Sequence, residues 1–391
     1  MKLRGNLIRY MINILQVLPR LETGGVERGT LEIASAIEQF GYGSFVASSG
    51  GQMVDLFSDA GSQHIELPLN TKNPITIIYN ALRLVRIIKL YNIKILHARS
   101  RTSAWSGWLA TKITRIKFVT TFHGRYGLQF SLKRYYNSVM VKGHKVIAVS
   151  HFIADHIMKN YSQYVKEEDI VTIPRGIYVN YFNEEHVSAE RVKEALKYIE
   201  AEDDLGCKIL LPGRISRGKG HLYLLNILHT MSDKEWTCYI VGHCTPDHIG
   251  YLNKLKDKAS ELGIYRKIHF VADWKDMPAL YAACDVVMST ALIPEAFGRT
   301  MLEAQAMGKV VVATAHGGAL EIITHGKDGF HIPIDNHKEA ADILQRAIRL
   351  PPKAKKELTE RAKQNASQYS LQSMCQKTIA VYQQLYGGLG I

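Results

Sequence analysis

Short β-branched runs alternate along the chain with longer amphipathic ones, which is the pattern of a parallel sheet covered by helices. In the first half, INILQVL, GSFVAS, KILHA, KFVTTF, KVIAVS and DIVTI predict strands, with helical segments such as 73–91 between them. A second series begins at CKILLPGR and continues through WTCYIVG, KIHFVA, DVVMST and KVVVATA. Each series predicts one α/β unit, and the passage from one to the other falls near IPRGIYVNYF. After Pro351 and Pro352 a charged helical run leads into SLQSMCQKTIAVYQQLYG, which is amphipathic and followed by no strand. Such a helix needs another surface to cover. In open parallel sheets ligands bind beyond the C-terminal strand ends, so the cleft between the two halves is the expected site.

The length agrees with this division, because 391 residues exceed what one hydrophobic core usually supports. Two Rossmann-like domains are expected, one over 1–175 completed by about 368–391, the other over 176–367. Apolar residues at 46% and charged residues at 22% are ordinary for a globular protein. No uninterrupted apolar run approaches the roughly 18 residues that a bilayer requires. The N-terminal MKLRGNLIRYMINILQVLP is basic, but Asn6 and Asn13 interrupt its apolar part and no small-residue cleavage site follows, so a leader is not expected and the cytoplasm is the expected location. The five cysteines (Cys207, Cys238, Cys244, Cys284, Cys375) lack metal-type spacing and read as buried thiols.

The strand-to-loop junctions carry the candidate chemistry. The first strand runs into PRLETGGVERGTLEIA, where Gly24 and Gly25 precede a helix pattern. Bare amides at a helix start can face an anion, although a glycine pair is also an ordinary tight turn. LPGRISRGKG sets Arg214 and Lys219 in one glycine-containing loop, as a diphosphate would need, or as a solvated basic loop would show. PEAFGRTMLEA places Glu295 and Glu303 on either side of Gly298 at the end of a later strand. Both are either solvated caps of a helix or grips on one ligand. Glu303, inside the helix, suits the two vicinal hydroxyls of a ribose, Glu295 suits the group beyond, and the amides near Phe297, Gly298 and Arg299 suit phosphate or sugar oxygens.

These motifs in this order resemble a family 4 retaining glycosyltransferase of group 1. The resemblance rests on Glu295 and Glu303 with seven residues between, the Arg214 to Lys219 loop, TGGVER, VSHFIADHI and VVATAHGGALEIITHGKDGFHIP, and it runs from about Ile12 to the end. It implies a GT-B fold, in which two Rossmann-like domains with parallel sheets face a central cleft and the C-terminal helix crosses back to the first domain. The first domain would bind the acceptor and the second the nucleotide sugar. The resemblance further implies that Arg214 and Lys219 hold the donor diphosphate, Glu303 the ribose and Glu295 the transferred sugar, while Gly25 closes on the phosphates. His123, in TTFHG, falls where the family often has a histidine near the reacting sugar, although a histidine at a strand end is often structural. Base contacts would be mainly to backbone near Val271 in HFVAD. Two departures border the cleft: PRGIY, with Arg175 and Tyr178, stands where the family usually has PNGID, and VGHCTPD stands where it has VGDGP.

Retaining transfer in this fold, as the resemblance implies, needs no metal or other cofactor, since basic side chains and helix amides neutralise the departing diphosphate. A sugar-nucleotide epimerase of the same architecture is the alternative. Nucleic acid is not an expected partner, because the aromatic residues are not interleaved with Lys and Arg as stacking platforms would be. The net charge of +13 still asks for an account. Between Glu66 and Asp155 there is no acidic residue, and fifteen Lys and Arg fall in that interval. The interval is either a solvated basic face or a surface for an anionic membrane carrying a glycolipid acceptor. In the helix around it, Ile77, Ile78, Leu82 and Val85 are candidate core, so electrostatic contact is expected in preference to insertion.

Overall fold

The computed structural model describes residues 12–22, 24–127, 131–231 and 235–387. The basic N-terminal run read above for a leader begins in residues 1–11, which lie outside the described residues, as does Thr23 of the TGGVER loop. The chain forms two compact units, one running to Pro174 and resuming at Gln372, the other Arg175–Leu371.

The first unit holds a seven-stranded parallel sheet. Its strands in chain order are β1 (Asn13–Val17), β2 (Gly43–Ser48), β3 (Gln63–Glu66), β4 (Ile93–Ala98), β5 (Lys117–Phe122), β6 (Lys145–Ala148) and β7 (Ile170–Thr172). They lie in the order β3-β2-β1-β4-β5-β6-β7. The second unit holds β8 (Cys207–Pro212), β9 (Trp236–Val241), β10 (Ile268–Val271), β11 (Val286–Ser289), β12 (Val310–Thr314) and β13 (Phe330–Ile332), ordered β10-β9-β8-β11-β12-β13. Each order reverses beside the first strand of its unit, which is the switch point of a doubly wound sheet.

The second sheet is buried on both faces, as a parallel sheet between helices must be. Ile209, Leu211, Cys238, Ile240, Val286 and Met288 point into one core, while their neighbours Leu210, Tyr239, Val241 and Val287 point into the other. Period-two alternation between two apolar layers makes these strands read as continuous apolar runs. The strands that the pattern passed over, β3 and β13, are edge strands, short and carrying Gln63, His64, Glu66 and His331. Their water-facing positions dilute the apolar signal.

The last helix, Leu371–Tyr386, buries Met374, Ile379 and Tyr382 in the first unit. The Tyr382 hydroxyl is 2.6 Å from His97 Nδ1, and His97 Nε2 is 2.7 Å from the Thr121 hydroxyl. The chain leaves and re-enters the second unit at one place: Ile177 N donates to Tyr369 O and Leu371 N to Ile177 O, each at 2.9 Å. These two bonds hold Tyr369 and Leu371 to the second unit, which runs to Leu371. All five cysteines are free thiols; Cys238, Cys284 and Cys375 are buried, whereas Cys207 and Cys244 are half-buried. Among the described residues no helix is long and apolar enough to cross a membrane.

Candidate active site

The second unit gathers its candidate residues where β8 and β11 end. The loop after β8 is fastened to the loop after β11 by side-chain and backbone hydrogen bonds. Thr290 Oγ1 donates to Lys219 O at 3.1 Å, and Leu292 N donates to Gly218 O at 2.9 Å. Gly220 has φ +71, and a Cβ there would lie 1.8 Å from the Thr290 carbonyl, so only glycine fits the crossing. Beneath this loop His221 is buried with Nδ1 3.2 Å from Ser216 O, and burial brings its pKa down to about 4, so it supports the loop as a neutral ring. From the other side Gly318 N donates to Glu295 O at 2.9 Å, which fixes the backbone of the glutamate. The result is an ion pair in which Lys219 Nζ donates to Glu295 Oε1. The two side chains are 28% and 18% exposed, so they stay open to a ligand while well shielded from bulk solvent.

Gly298, at φ +101, turns the chain into the helix Arg299–Ala306. The Phe297 side chain does not face the site; it packs in the core with its ring centroid 5.7 Å from that of Tyr369. Arg299 Nε is 3.8 Å from Glu303 Oε1. On the other oxygen, the buried Tyr281 hydroxyl donates to Glu303 Oε2 at 3.1 Å. Burial first, and then the charge of Glu303, push the Tyr281 phenol well above its ordinary value, so it remains a donor at any working pH. Tyr281 lies on the short helix Met277–Ala282. Asp276 caps that helix, accepting from Ala279 N at 3.3 Å, and takes two 2.7 Å hydrogen bonds from Arg191, which hold its carboxyl below the usual range.

Arg214 is exposed, and among the described residues its guanidinium has no partner. Val271 ends β10, and its carbonyl accepts from Gly242 N at 3.1 Å, so that oxygen is committed to the sheet. The residue also lines a cavity of about 530 Å³ along the open edge of β10, with Tyr198, Lys256, Arg266 and His269. Neither Glu295 nor Glu303 lines that cavity.

In the first unit, Gly24 is the exposed N-cap of the helix Gly25–Gln39, and its carbonyl accepts from Arg28 N at 3.0 Å. The Glu27 carboxylate lies against Gly24, so a negative charge already stands at this helix start. His123 follows β5 directly and is half-buried. These residues share a unit with neither glutamate; what the two groups have in common is their place at C-terminal strand ends.

The model of the Glycosyltransferase Family 4 matches residues 23–181, and that of the Glycosyl transferases group 1 matches 192–368. The chain is similar along its length to a solved glycosyltransferase of Rickettsia africae ESF-5, at 37% identity over 96% of this chain and 99% of that one, with a TM-score of 0.89. The chain belongs to this glycosyltransferase family. As a family 4 glycosyltransferase it is an enzyme, and its two parallel-sheet units are those of the GT-B fold. Anabaena Alr3699/HepE, solved in complex with UDP and glucose, shares the fold at a TM-score of 0.83 and 21% identity, over 95% of this chain and 100% of that one. The lipopolysaccharide core biosynthesis mannosyltransferase LpsB of Rhizobium meliloti is 26% identical over 197 residues, 49% of this chain and 55% of the relative. The chain spans about half the length of the first curated relatives it matches.

Tyr281 and Glu27 are the residues at this glycosyltransferase's candidate sites that sequence reasoning passed over. Tyr281 stands in the apolar run MPALYAACDVV and reads there as core, which it also is. Only the tertiary fold, which brings Tyr281 within reach of the helix Arg299–Ala306, turns its hydroxyl onto Glu303.

Proposed function

We propose that this enzyme transfers a sugar, with retention of configuration, from a nucleotide diphosphate sugar to an acceptor hydroxyl. The observation that carries the reading is the pair of glutamates, one before and one inside the helix Arg299–Ala306, each with its own donor: Lys219 on Glu295, and Tyr281 on Glu303. Glu303, oriented by a protonated phenol, presents its carboxylate to the ribose hydroxyls. Arg214 and Lys219 meet the diphosphate, and the amides at Gly298 and Arg299 lie near phosphate and sugar oxygens. Phe297 contributes backbone only.

In the proposed step, the bond from the anomeric carbon to the diphosphate oxygen breaks, and the acceptor hydroxyl forms its new bond on the same face. Its proton passes to a departing phosphate oxygen. Cationic side chains and helix amides take up the charge on the diphosphate, so the reading requires no metal or other cofactor. Glu295 lies against the sugar and stabilises the positive charge that develops there, a role for an oriented anion that needs no covalent bond. His123 and Gly25 belong to the acceptor-binding unit in this reading, with His123 near the reacting sugar. The backbone around Val271 serves the base.

The acceptor we propose is a glycolipid or oligosaccharide of cell-envelope synthesis, with lipopolysaccharide the leading case, as the LpsB likeness suggests. The enzyme would then work at the inner face of the cytoplasmic membrane, with the basic first unit toward anionic lipid. The epimerase alternative is not favoured, because the family and the relatives are glycosyltransferases. The test is a mass-spectrometric screen of UDP-, GDP-, ADP- and CMP-linked sugars with and without glycolipid acceptor, followed by NMR of the product anomer. Conversion of donor alone to an epimer, or a product of inverted configuration, would overturn the reading.

A further inference from the structure

The helix Pro74–Leu90 of the first unit is apolar on the side it buries and apolar again on the side it exposes. Ile77, Asn80, Ala81, Leu84 and Ile88 face the protein. The Ser106 hydroxyl donates to Ile77 O at 3.1 Å from the neighbouring helix Arg101–Thr114. The opposite arc carries Ile75 at 79% exposure, Ile78 and Tyr79 at 56% each, and Leu82 at 50%. These four stand at i, i+3, i+4 and i+7, one continuous stripe on a helix. The expectation that Ile78 and Leu82 belong to the core is therefore corrected. Only Ile77 of the four candidates is buried, and Val85 is half-buried.

Along the same arc the chemistry changes from apolar to basic. Arg86 and Lys89 continue the exposed stripe, Lys72 is exposed just before the helix, and Arg83 Cζ lies 5.9 Å from the Tyr79 ring. Four large apolar side chains on one exposed stripe are costly in water and call for a cover. Its basic margin says which kind. Pairing of this face with its counterpart in a second copy would bury Arg86 and Lys89 against a helix that itself carries no acidic residue, and unpaired buried charge is strongly unfavourable. An anionic bilayer offers acyl chains to the stripe and headgroup charge to the margin.

We infer that this helix meets an anionic membrane with its N-terminal half tilted inward, inserting Ile75, Ile78, Tyr79 and Leu82 below the headgroups, with Lys72, Arg83, Arg86 and Lys89 at headgroup level. The inference deepens the membrane-surface part of the proposed function and rests on it. It separates two kinds of contact, because electrostatic docking is lost in salt whereas burial of apolar side chains is not.

The experiment is sedimentation of the full chain with vesicles of phosphatidylcholine alone, or of phosphatidylcholine with phosphatidylglycerol, at low and high salt. It is repeated with Ile75→Ser/Leu82→Ser and with Arg86→Gln/Lys89→Gln. The substituted positions are solvent-facing, and circular dichroism and donor hydrolysis report that the fold is kept. Insertion predicts binding to anionic vesicles of which a part survives high salt. The serine variant should lose that part, with partitioning down by roughly tenfold or more for burial of this size, and the glutamine variant should lose mainly the salt-sensitive part. Binding abolished by salt and indifferent to the serine substitutions would leave docking in place and overturn insertion. Absence of binding to every vesicle would overturn both, as would a dimer in light scattering that the serine variant dissociates.

Discussion

Lys219 Nζ and Glu295 Oε1 form an ion pair across two loops that are 76 positions apart in sequence. Thr290, Gly218 and Gly318 hold the backbone on either side, so the pair is part of a built arrangement and not a chance surface contact. Under the proposed reading the same lysine serves the diphosphate and orients the carboxylate beside the sugar. Glu295→Gln keeps the shape and removes the charge. Donor binding should stay within a few-fold, while turnover should fall by roughly a hundredfold or more, the scale of losing one preorganised electrostatic group. Combined with Lys219→Met, the two losses should be non-additive by an amount on the order of 0.5 to 3 kcal/mol. Steady-state kinetics and calorimetry on the four proteins check this, and strictly additive losses would uncouple the two residues.

Arg214 is exposed, and among the described residues its guanidinium has no partner, so its removal should cost the fold little. Arg214→Ala is expected to weaken binding of the nucleoside diphosphate by about 1.5 to 3 kcal/mol, the range for a hydrogen bond to a charged group. Binding of the nucleoside without phosphates should not change. Calorimetry with both ligands separates a phosphate contact from a general loosening of the loop.

Glu303 takes its orientation from Tyr281, whose hydroxyl donates to Oε2 at 3.1 Å. Glu303→Ala should lose discrimination between ribose and 2′-deoxyribose donors. Tyr281→Phe should lose part of it, on the order of 1 kcal/mol, because the carboxylate stays but loses its donor on Oε2. The ratio of kcat/KM for the two donors is the readout, and a merely structural tyrosine would lower both alike. Equal selectivity in Glu303→Ala and the parent would return Glu303 to the part of a solvated cap.

His97 ties the last helix to the first sheet through Tyr382 and Thr121. Burial, reinforced by the charge of Arg99, holds its pKa well below the ordinary value. Its proton is thus bound by the unfolded chain before the folded one, and stability falls as pH drops through about 6.5 toward the folded value, by at most about 1.4 kcal/mol per pH unit. Above that range the group contributes no slope. Urea unfolding between neutral and mildly acid pH should show a shallower pH dependence in His97→Gln than in the parent, and an unchanged slope would assign the acid sensitivity elsewhere.

What repeats and what is local can be read along the chain alone. Apolar runs in each half announced the central strands, because a strand buried on both faces has no polar positions to interrupt it. The loops holding Arg214, Lys219, Glu295 and Glu303 were legible because strand ends, glycines and a helix start lie next to one another in the chain. Tertiary structure decided everything that depends on which surface meets which. The edge strands β3 and β13 exist because a neighbour completes their hydrogen bonds, and their own residues say little. Tyr281 reads as core until the fold brings its hydroxyl to Glu303. Phe297 reads as part of the site until its ring turns inward. Ile78 and Leu82 have the same apolar character as Ile77, and no property of the residues separates them. Their places around the helix axis, relative to the one side that the sheet and the helix Arg101–Thr114 cover, put Ile77 in the core and left the other two outside.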